Sequence, residues 1–178
     1  VTAFTILGFV VYGYSMVCIG FGQGISPIVS ICWGAKEKET ATKIRSITNR
    51  ILLTIGTLTA LSFFIAGKRY AEIFGCSNSI ADMVATGFRI YAITFLAMGY
   101  DVTGSMYFTS CGDAKSSAII SSLRGIVLLL AFILIFPAIF GMNGVWMASP
   151  CAETLTAIVT FVLIRRQVRK NKEEENGR

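Results

Sequence analysis

Long stretches of the chain contain almost no charged residues, and this pattern predicts helices that cross a membrane. Residues 1–35, 51–67 and 125–152 contain no charged side chain, and residues 90–112 contain one, Asp101. A bilayer core about 30 Å thick needs roughly 20 mostly apolar residues in a helix. Because these stretches are apolar all round rather than along one stripe, they are typical of membrane spans and not of helices in a soluble domain.

The last apolar stretch is too long for one span, and a turn is predicted within it. Residues 137–144 contain Pro137, Gly141, Asn143 and Gly144, which favour a turn between two antiparallel helices. We therefore predict an all-α fold, a polytopic transmembrane helix bundle with five spans. The spans lie at about 2–31, 46–66, 82–110, 117–136 and 144–165, and a charged, solvated tail follows at 166–178.

The Lys and Arg residues lie mainly in alternate connections between the predicted spans. Thirteen lie between spans one and two, between spans three and four and after span five, whereas two lie between spans two and three. The positive-inside rule then predicts that residues 36–45, residues 111–117 and the tail are cytoplasmic, with the chain in the inner (plasma) membrane. This orientation puts Val1 outside, so we expect further helices upstream. The thirteen are Lys36, Lys38, Lys43, Arg45, Arg50, Lys115, Arg124, Arg165, Arg166, Arg169, Lys170, Lys172 and Arg178.

Composition narrows the possible functions further. Charged residues make up 15% of the chain and mean hydropathy is +0.67, whereas a soluble domain carries about 25% charged residues. The net charge of +6 is explained by topology, so no nucleic-acid partner is expected. The absence of His excludes Ser-His-Asp triads and His-ligated metals, and the five Cys show no CxxC pair. We expect no enzyme, no catalytic residue, no metal site and no cofactor.

Asp101 is the most deeply placed charge in a predicted span, where charges are costly and informative. Helical spacing puts a mixed polar stripe on its side of the third span. The stripe suits the wall of a cavity that receives a cation or exchanges protons. The alternative is that Asp101 is protonated, or bonded to a neighbouring helix, and only packs. The other candidate cavity residues of the stripe are Thr94, Met98, Ser105 and Phe108.

Two further charges and one polar segment lie in the predicted spans. Glu153 follows Pro150, which starts or kinks the fifth helix, so Glu153 either lies near a substrate path or bonds to backbone groups beside the proline. Arg89 is expected to extend towards the headgroups. In the first span, Gln23 is a candidate cavity residue. Gly22, Gly24 and Pro27 predict a helix break or hinge, or alternatively tight packing without movement.

Several segments, in order along the chain, resemble the multidrug and toxic compound extrusion (MATE) family of transporters. Residues 22–36 resemble the GQG-x-x-P…YGAK segment of the family. Residues 89–91 and then 107–115 resemble the later segment that ends YFQA-x-G-x-AK. Residues 137–146 and 150–153 resemble the closing P-x-x-FG-x-x-GVW…P-x-AE segment.

The resemblance implies that the five spans are helices eight to twelve of a twelve-helix protein, whose N-terminal lobe and seventh helix are missing here. It implies export of small cationic or lipophilic compounds in exchange for Na⁺ or H⁺, by rocking of two lobes. Family coupling carboxylates lie on the first, seventh and tenth helices, and Asp101 falls on the tenth. We therefore expect a secondary active multidrug antiporter, of which this partial lobe does not transport alone.

Two other functions stay open. The first is a related flippase or polysaccharide-precursor exporter, whose cavity should carry basic residues for phosphate groups. The second is a membrane scaffold or a membrane-embedded enzyme, against which the isolated buried carboxylates Asp101 and Glu153 count.

Overall fold

A computed structural model describes residues 2–73 and 78–176, and these residues form five helices joined by short turns. This confirms the all-α fold, since the described residues contain no strand. Val1 and the last two residues of the predicted tail lie outside the described residues. The helices are α1 (Thr2–Gly34), α2 (Lys38–Ile73), α3 (Asn78–Ser110), α4 (Ala114–Phe140) and α5 (Met142–Asn176).

Four helical stretches in the described ranges are long and apolar enough to cross a membrane. They are Leu7–Gly34 of α1, Lys38–Ile65 of α2, Ala114–Phe140 of α4 and Asn143–Asn171 of α5. The third predicted span, α3, is not among these four because it carries more polar residues. It lies at the centre of the bundle instead, packed against α1, α2 and α5.

Two groups of buried side chains hold the other helices against α3. The larger group joins α1, α2 and α3 and is rich in aromatic rings; the rings of Phe63 and Phe88 stack with centroids 4.2 Å apart. The smaller group gathers Val29, Tyr107 and Ile164 from α1, α3 and α5. In a membrane, close packing of such side chains, and not their removal from water, holds helices together, because lipid tails are equally apolar.

The turns after α1 and α3 use the same helix-ending motif. After α1, Lys36 adopts a left-handed conformation (φ 64°), and the N–H of Glu37 donates to the carbonyl of Cys32. After α3, Gly112 takes that position (φ 77°), which glycine adopts without steric cost. Asp113 then caps α4, because its carboxylate accepts a hydrogen bond from the backbone N–H of Ser116 at 3.1 Å.

Helix α4 contains one irregular turn, at Leu123–Val127, where the backbone is π-helical. Such turns insert one extra residue and are frequent at functional sites. Arg124 lies in this turn, so the prediction that it belongs to the connection between spans three and four was wrong. The structure places it inside α4, where it faces α5.

The predicted helix break is not present in α1, which runs unbroken through Gly22, Gly24 and Pro27. One proline removes one backbone hydrogen bond, and the rest of the helix can maintain its course. Gly22 serves close packing instead, because a β-carbon there would lie 2.9 Å from Cγ of Met106. Movement about this segment stays a prediction.

The helix boundaries around the last two spans also differ from those predicted. Pro137 lies inside α4, and the turn narrows to Gly141, whose positive φ of 58° ends the helix. Helix α5 passes through Pro150 without ending there. It also continues through most of the predicted tail to Asn176, where Arg169 and Glu173 pair one turn apart at 2.9 Å.

Candidate functional site

A polar cavity of about 340 Å³ lies between α1, α3, α4 and α5. It is the place where the sequence-predicted carboxylates Asp101 and Glu153 meet, from helices that are far apart in the chain. We call it the Asp101 cavity. Its other lining residues are Ile19, Val102, Ser105, Met106, Ile120, Ser121, Arg124 and Gly125.

Asp101 is fully buried on α3 and is only half satisfied by hydrogen bonds. Its Oδ1 accepts a hydrogen bond from the hydroxyl of Thr160 on α5, at 2.9 Å. Its Oδ2 is buried and has no hydrogen-bond partner in the described part of the chain. A buried polar oxygen without a partner is costly, so this oxygen is available to a proton, a cation or a water molecule that enters the cavity.

The hydrogen bond to Asp101 depends on a glycine one turn along α3. A β-carbon on Gly104 would overlap Cγ2 of Thr160, so only glycine lets α5 approach closely enough for the hydroxyl to reach the carboxylate. Thr160 follows Glu153 on α5 at a spacing of two helical turns, which puts it on the face of Glu153. Its contact with Asp101 was missed, because helix-to-helix register is not visible in the spacing along one helix.

In the described part of the chain Glu153 pairs with Arg124, and not with the backbone groups beside Pro150 that were the alternative left open by the sequence. Its two carboxylate oxygens accept hydrogen bonds from Nε of Arg124, at 2.9 and 3.1 Å. Both side chains are largely removed from solvent. The π-helical turn at Leu123–Val127 carries Arg124 to this position. A charge within an apolar run was the signal that could have identified Arg124 from the sequence.

A chain of hydroxyl groups extends from the cavity towards the turn between α3 and α4. Oγ of Ser105 lies 2.9 Å from Oγ of Ser121 and 3.1 Å from Oγ of Ser117. Ser117 is in turn 2.7 Å from the hydroxyl of Thr109, which is exposed. This polar seam gives the cavity a hydrophilic edge on the side where α4 begins.

Of the five residues predicted to line a cavity, the structure brings only Ser105 to the Asp101 cavity. Thr94 is fully buried, and Met98 and Phe108 belong to the packed interior. Gln23 is exposed on α1. The physical reason is that α3 is surrounded by several helices, so residues spaced along one stripe pack against different neighbours.

Arg45 is a buried cation that residue spacing along the chain does not indicate. Its side chain on α2 is 8% exposed, and its guanidinium lies 5.6 Å from the ring centroid of Tyr107. Nε and Nη1 have no hydrogen-bond partner among the residues that the structure describes. By contrast, Arg89 is exposed, as a side chain directed away from the bundle should be.

Comparison with known proteins agrees with this architecture. The MatE family profile matches residues 1–136. The multidrug export protein MepA of Staphylococcus aureus (strain bovine RF122 / ET3-1) is 20% identical over 154 residues, covering 84% of this chain and 33% of MepA. The probable multidrug resistance protein YoeA of Bacillus subtilis (strain 168) is 26% identical over 161 residues, covering 86% of this chain and 34% of YoeA.

The fold is likewise similar to that of a solved transporter. The structure of a MOP superfamily transporter from Pyrococcus furiosus superposes with a TM-score of 0.85 at 19% identity, over 97% of this chain and 39% of that one. The chain thus spans about a third of the length of the curated relatives it matches.

Proposed function

Because the chain belongs to the MatE family, whose members are membrane transporters and not enzymes, we propose that it is part of a multidrug exporter driven by exchange for Na⁺ or H⁺. In this proposal the chain supplies five helices of one lobe, and a second lobe completes the transport pathway. Small cationic or lipophilic compounds are the substrates.

The observation that carries the proposal is the uncompensated carboxylate of Asp101 beside an open cavity. The residue is fully buried, yet Oδ2 has no partner among the described residues. A bound cation or proton stabilises such a carboxylate, and this stabilisation is lost when the cavity empties. Occupancy of Asp101 would therefore favour one arrangement of the transporter over another, because a ligand shifts a conformational equilibrium only by differential affinity.

The arrangement around Asp101 supports reversible binding. Thr160 donates to one oxygen and so holds the carboxylate in place, while the other oxygen has no partner in the described residues. The hydroxyl groups of Ser105 and Ser121 offer further ligands of the kind that Na⁺ or a hydrated proton prefers.

The test is an export assay on the complete transporter with Asp101→Asn. The substitution keeps the shape of the side chain but removes its charge, so we expect cation-dependent export to fall to the level of cells without the transporter. Asp113→Asn is the matched control, since it makes the same change at a helix cap outside the cavity and Asn also caps helices well. Undiminished, cation-dependent export by Asp101→Asn would remove Asp101 from the mechanism.

Arg45 favours a second candidate function, the export of a lipid or polysaccharide precursor with a phosphate group. The unpaired N–H groups of a buried guanidinium suit a phosphate oxygen. In that case Arg45→Gln should reduce flipping of a fluorescent phospholipid in proteoliposomes and leave export of a cationic dye unchanged. If Arg45→Gln instead leaves phospholipid flipping unchanged and reduces export of the dye, the role of Arg45 is structural.

The distribution of basic residues supports an orientation with the C-terminal end of α5 in the cytoplasm of the cell and the chain in the plasma membrane. A cysteine introduced at Lys170 should then be labelled by an impermeant maleimide only after the cells are opened. Labelling in intact cells would reverse the orientation.

A further inference from the structure

The charges on the wall of the Asp101 cavity do not cancel. Among the described residues that line it, Asp101 and Glu153 carry carboxylates and Arg124 carries a guanidinium. Arg124 is bound to both oxygens of Glu153, whereas Oδ2 of Asp101 has no partner in the described ranges. When Asp101 is ionised, one negative charge is therefore left without compensation beside about 340 Å³ of open volume.

We infer that Arg124 is a specificity-determining residue: by neutralising Glu153 it reserves the Asp101 cavity for singly charged cations. The inference rests on the proposed function, because it places the cationic substrate in the Asp101 cavity, in exchange for the coupling cation. A monocation beside Asp101 leaves the cavity electrically neutral. A dication leaves a net positive charge near the guanidinium of Arg124, and a weakly polar interior screens that repulsion poorly.

The placement of Arg124 suits this role better than a purely structural one. An ion pair buried in the bundle stabilises less than well-packed apolar side chains of similar volume, so stability alone gives little reason for it. The pair is built at the π-helical turn Leu123–Val127, an irregularity that turns the guanidinium towards α5. It also lines the cavity rather than the packed interior, where a structural pair would be expected.

Substitutions at Arg124 and Glu153 change the net charge of the cavity by one unit at a time. Arg124→Gln leaves two carboxylates without a cation, and a dication then neutralises both. Glu153→Gln leaves Arg124 facing Asp101, so the cavity carries no net charge. The double variant Arg124→Gln/Glu153→Gln restores one uncompensated negative charge, and Arg124→Lys keeps the original charge on a different side chain.

The experiment compares ethidium with propidium, two dyes that share one aromatic ring system and carry one and two positive charges. Binding to the purified complete transporter is measured by dye fluorescence, and export is measured as dye uptake into inside-out membrane vesicles from cells that lack other exporters. We expect the wild type to prefer ethidium. Arg124→Gln should shift the propidium-to-ethidium binding ratio by at least about tenfold towards propidium, equivalent to about 1.4 kcal/mol.

The matched variants distinguish an effect of charge on the binding ratio from an effect of side-chain shape. The double variant and Arg124→Lys should both return the ratio to that of the wild type, and Glu153→Gln should weaken the binding of ethidium. An unchanged ratio in Arg124→Gln overturns the inference. If that variant does not reach the membrane, undiminished ethidium binding by Glu153→Gln overturns it instead.

The outcomes separate this inference from the proposed function. If the wild type exports ethidium but the ratio does not respond to Arg124, the inference fails and the export function stands. If the wild type binds the dyes with the predicted ratios but exports neither, the export function fails and the role of Arg124 in charge selection stands. A wild type that binds neither dye contradicts both.

Discussion

Helices α3 and α5 approach each other closely at Gly104. We predict that the methyl group of Thr160 decides whether a larger residue is tolerated at this position. In Gly104→Ala the new β-carbon would overlap Cγ2 of Thr160. The next nearest atoms to that β-carbon are Cδ1 of Ile164 at 3.5 Å and Cβ of Thr160 at 3.8 Å, both ordinary van der Waals contacts. The overlap therefore comes from Cγ2 alone, and Thr160→Ser removes that atom while it keeps the hydroxyl that donates to Asp101.

The magnitude follows from these contacts. Overpacking of a dense interior costs about 1–3 kcal/mol, and the severe overlap here puts Gly104→Ala near the upper end. Alanine returns about 1 kcal/mol through its greater helix propensity, so we expect a net loss of about 2 kcal/mol. Thr160→Ser alone removes one buried methyl group and should cost about 1 kcal/mol. In the double variant the alanine methyl fills the space that Cγ2 leaves, so its stability should lie within about 1 kcal/mol of the wild type.

The assay is the free energy of unfolding of the purified complete transporter in mixed detergent micelles, followed by tryptophan fluorescence. Gly20→Ala on α1 is the control, because no atom lies within 4 Å of its β-carbon position in the described part of the chain. It should leave stability unchanged or raise it slightly. A double variant as unstable as Gly104→Ala, or a Gly104→Ala variant as stable as the wild type, would refute the packing described for α3 and α5.

Three further predictions concern Asp101 and the turn before α4. Thr160→Val removes the donor to Asp101 and keeps the shape of the side chain, so the cation concentration for half-maximal export should change, whereas Thr160→Ser should leave it unchanged. Asp113→Ala removes the cap of α4 and should lower the free energy of unfolding by about 0.5–2 kcal/mol, while Asp113→Ser should restore it. Burial raises the pKa of the Cys111 thiol to about 12, so the thiol is protonated at neutral pH. Because the thiolate is the reactive form, labelling by N-ethylmaleimide, followed at this site by peptide mass spectrometry, should rise about tenfold for each pH unit from about 7 to 10. A labelling rate that levels off between about pH 9 and 10 would show an ordinary thiol.

The general fold could be predicted because it depends on composition along the chain. Apolar runs and the positions of Lys and Arg predicted a helical membrane bundle, and the described residues confirm the helices. The turn between the last two helices was predicted from the segment 137–144, but its extent was not. Pro137 continues α4 because the bundle requires only one turn residue with positive φ, and Gly141 provides it.

The candidate site could be predicted only in part. Asp101 and Glu153 were identified because charges in apolar runs are rare. Their partners Arg124 and Thr160 were not assigned to them, since these contacts cross 29 and 59 residues of sequence and depend on helix register. The π-helical turn that carries Arg124 has no signature in residue spacing.

If the charge of Asp101 couples a cation gradient to export, transport by the complete transporter in proteoliposomes depends on that charge. A Na⁺ gradient or a pH gradient is imposed separately, and accumulation of ethidium against its own concentration is followed by fluorescence. We expect one of the two gradients to drive accumulation by the wild type and neither to drive it with Asp101→Asn. Equal gradient-driven accumulation by the two proteins would show that the charge of Asp101 does not couple the gradient to export.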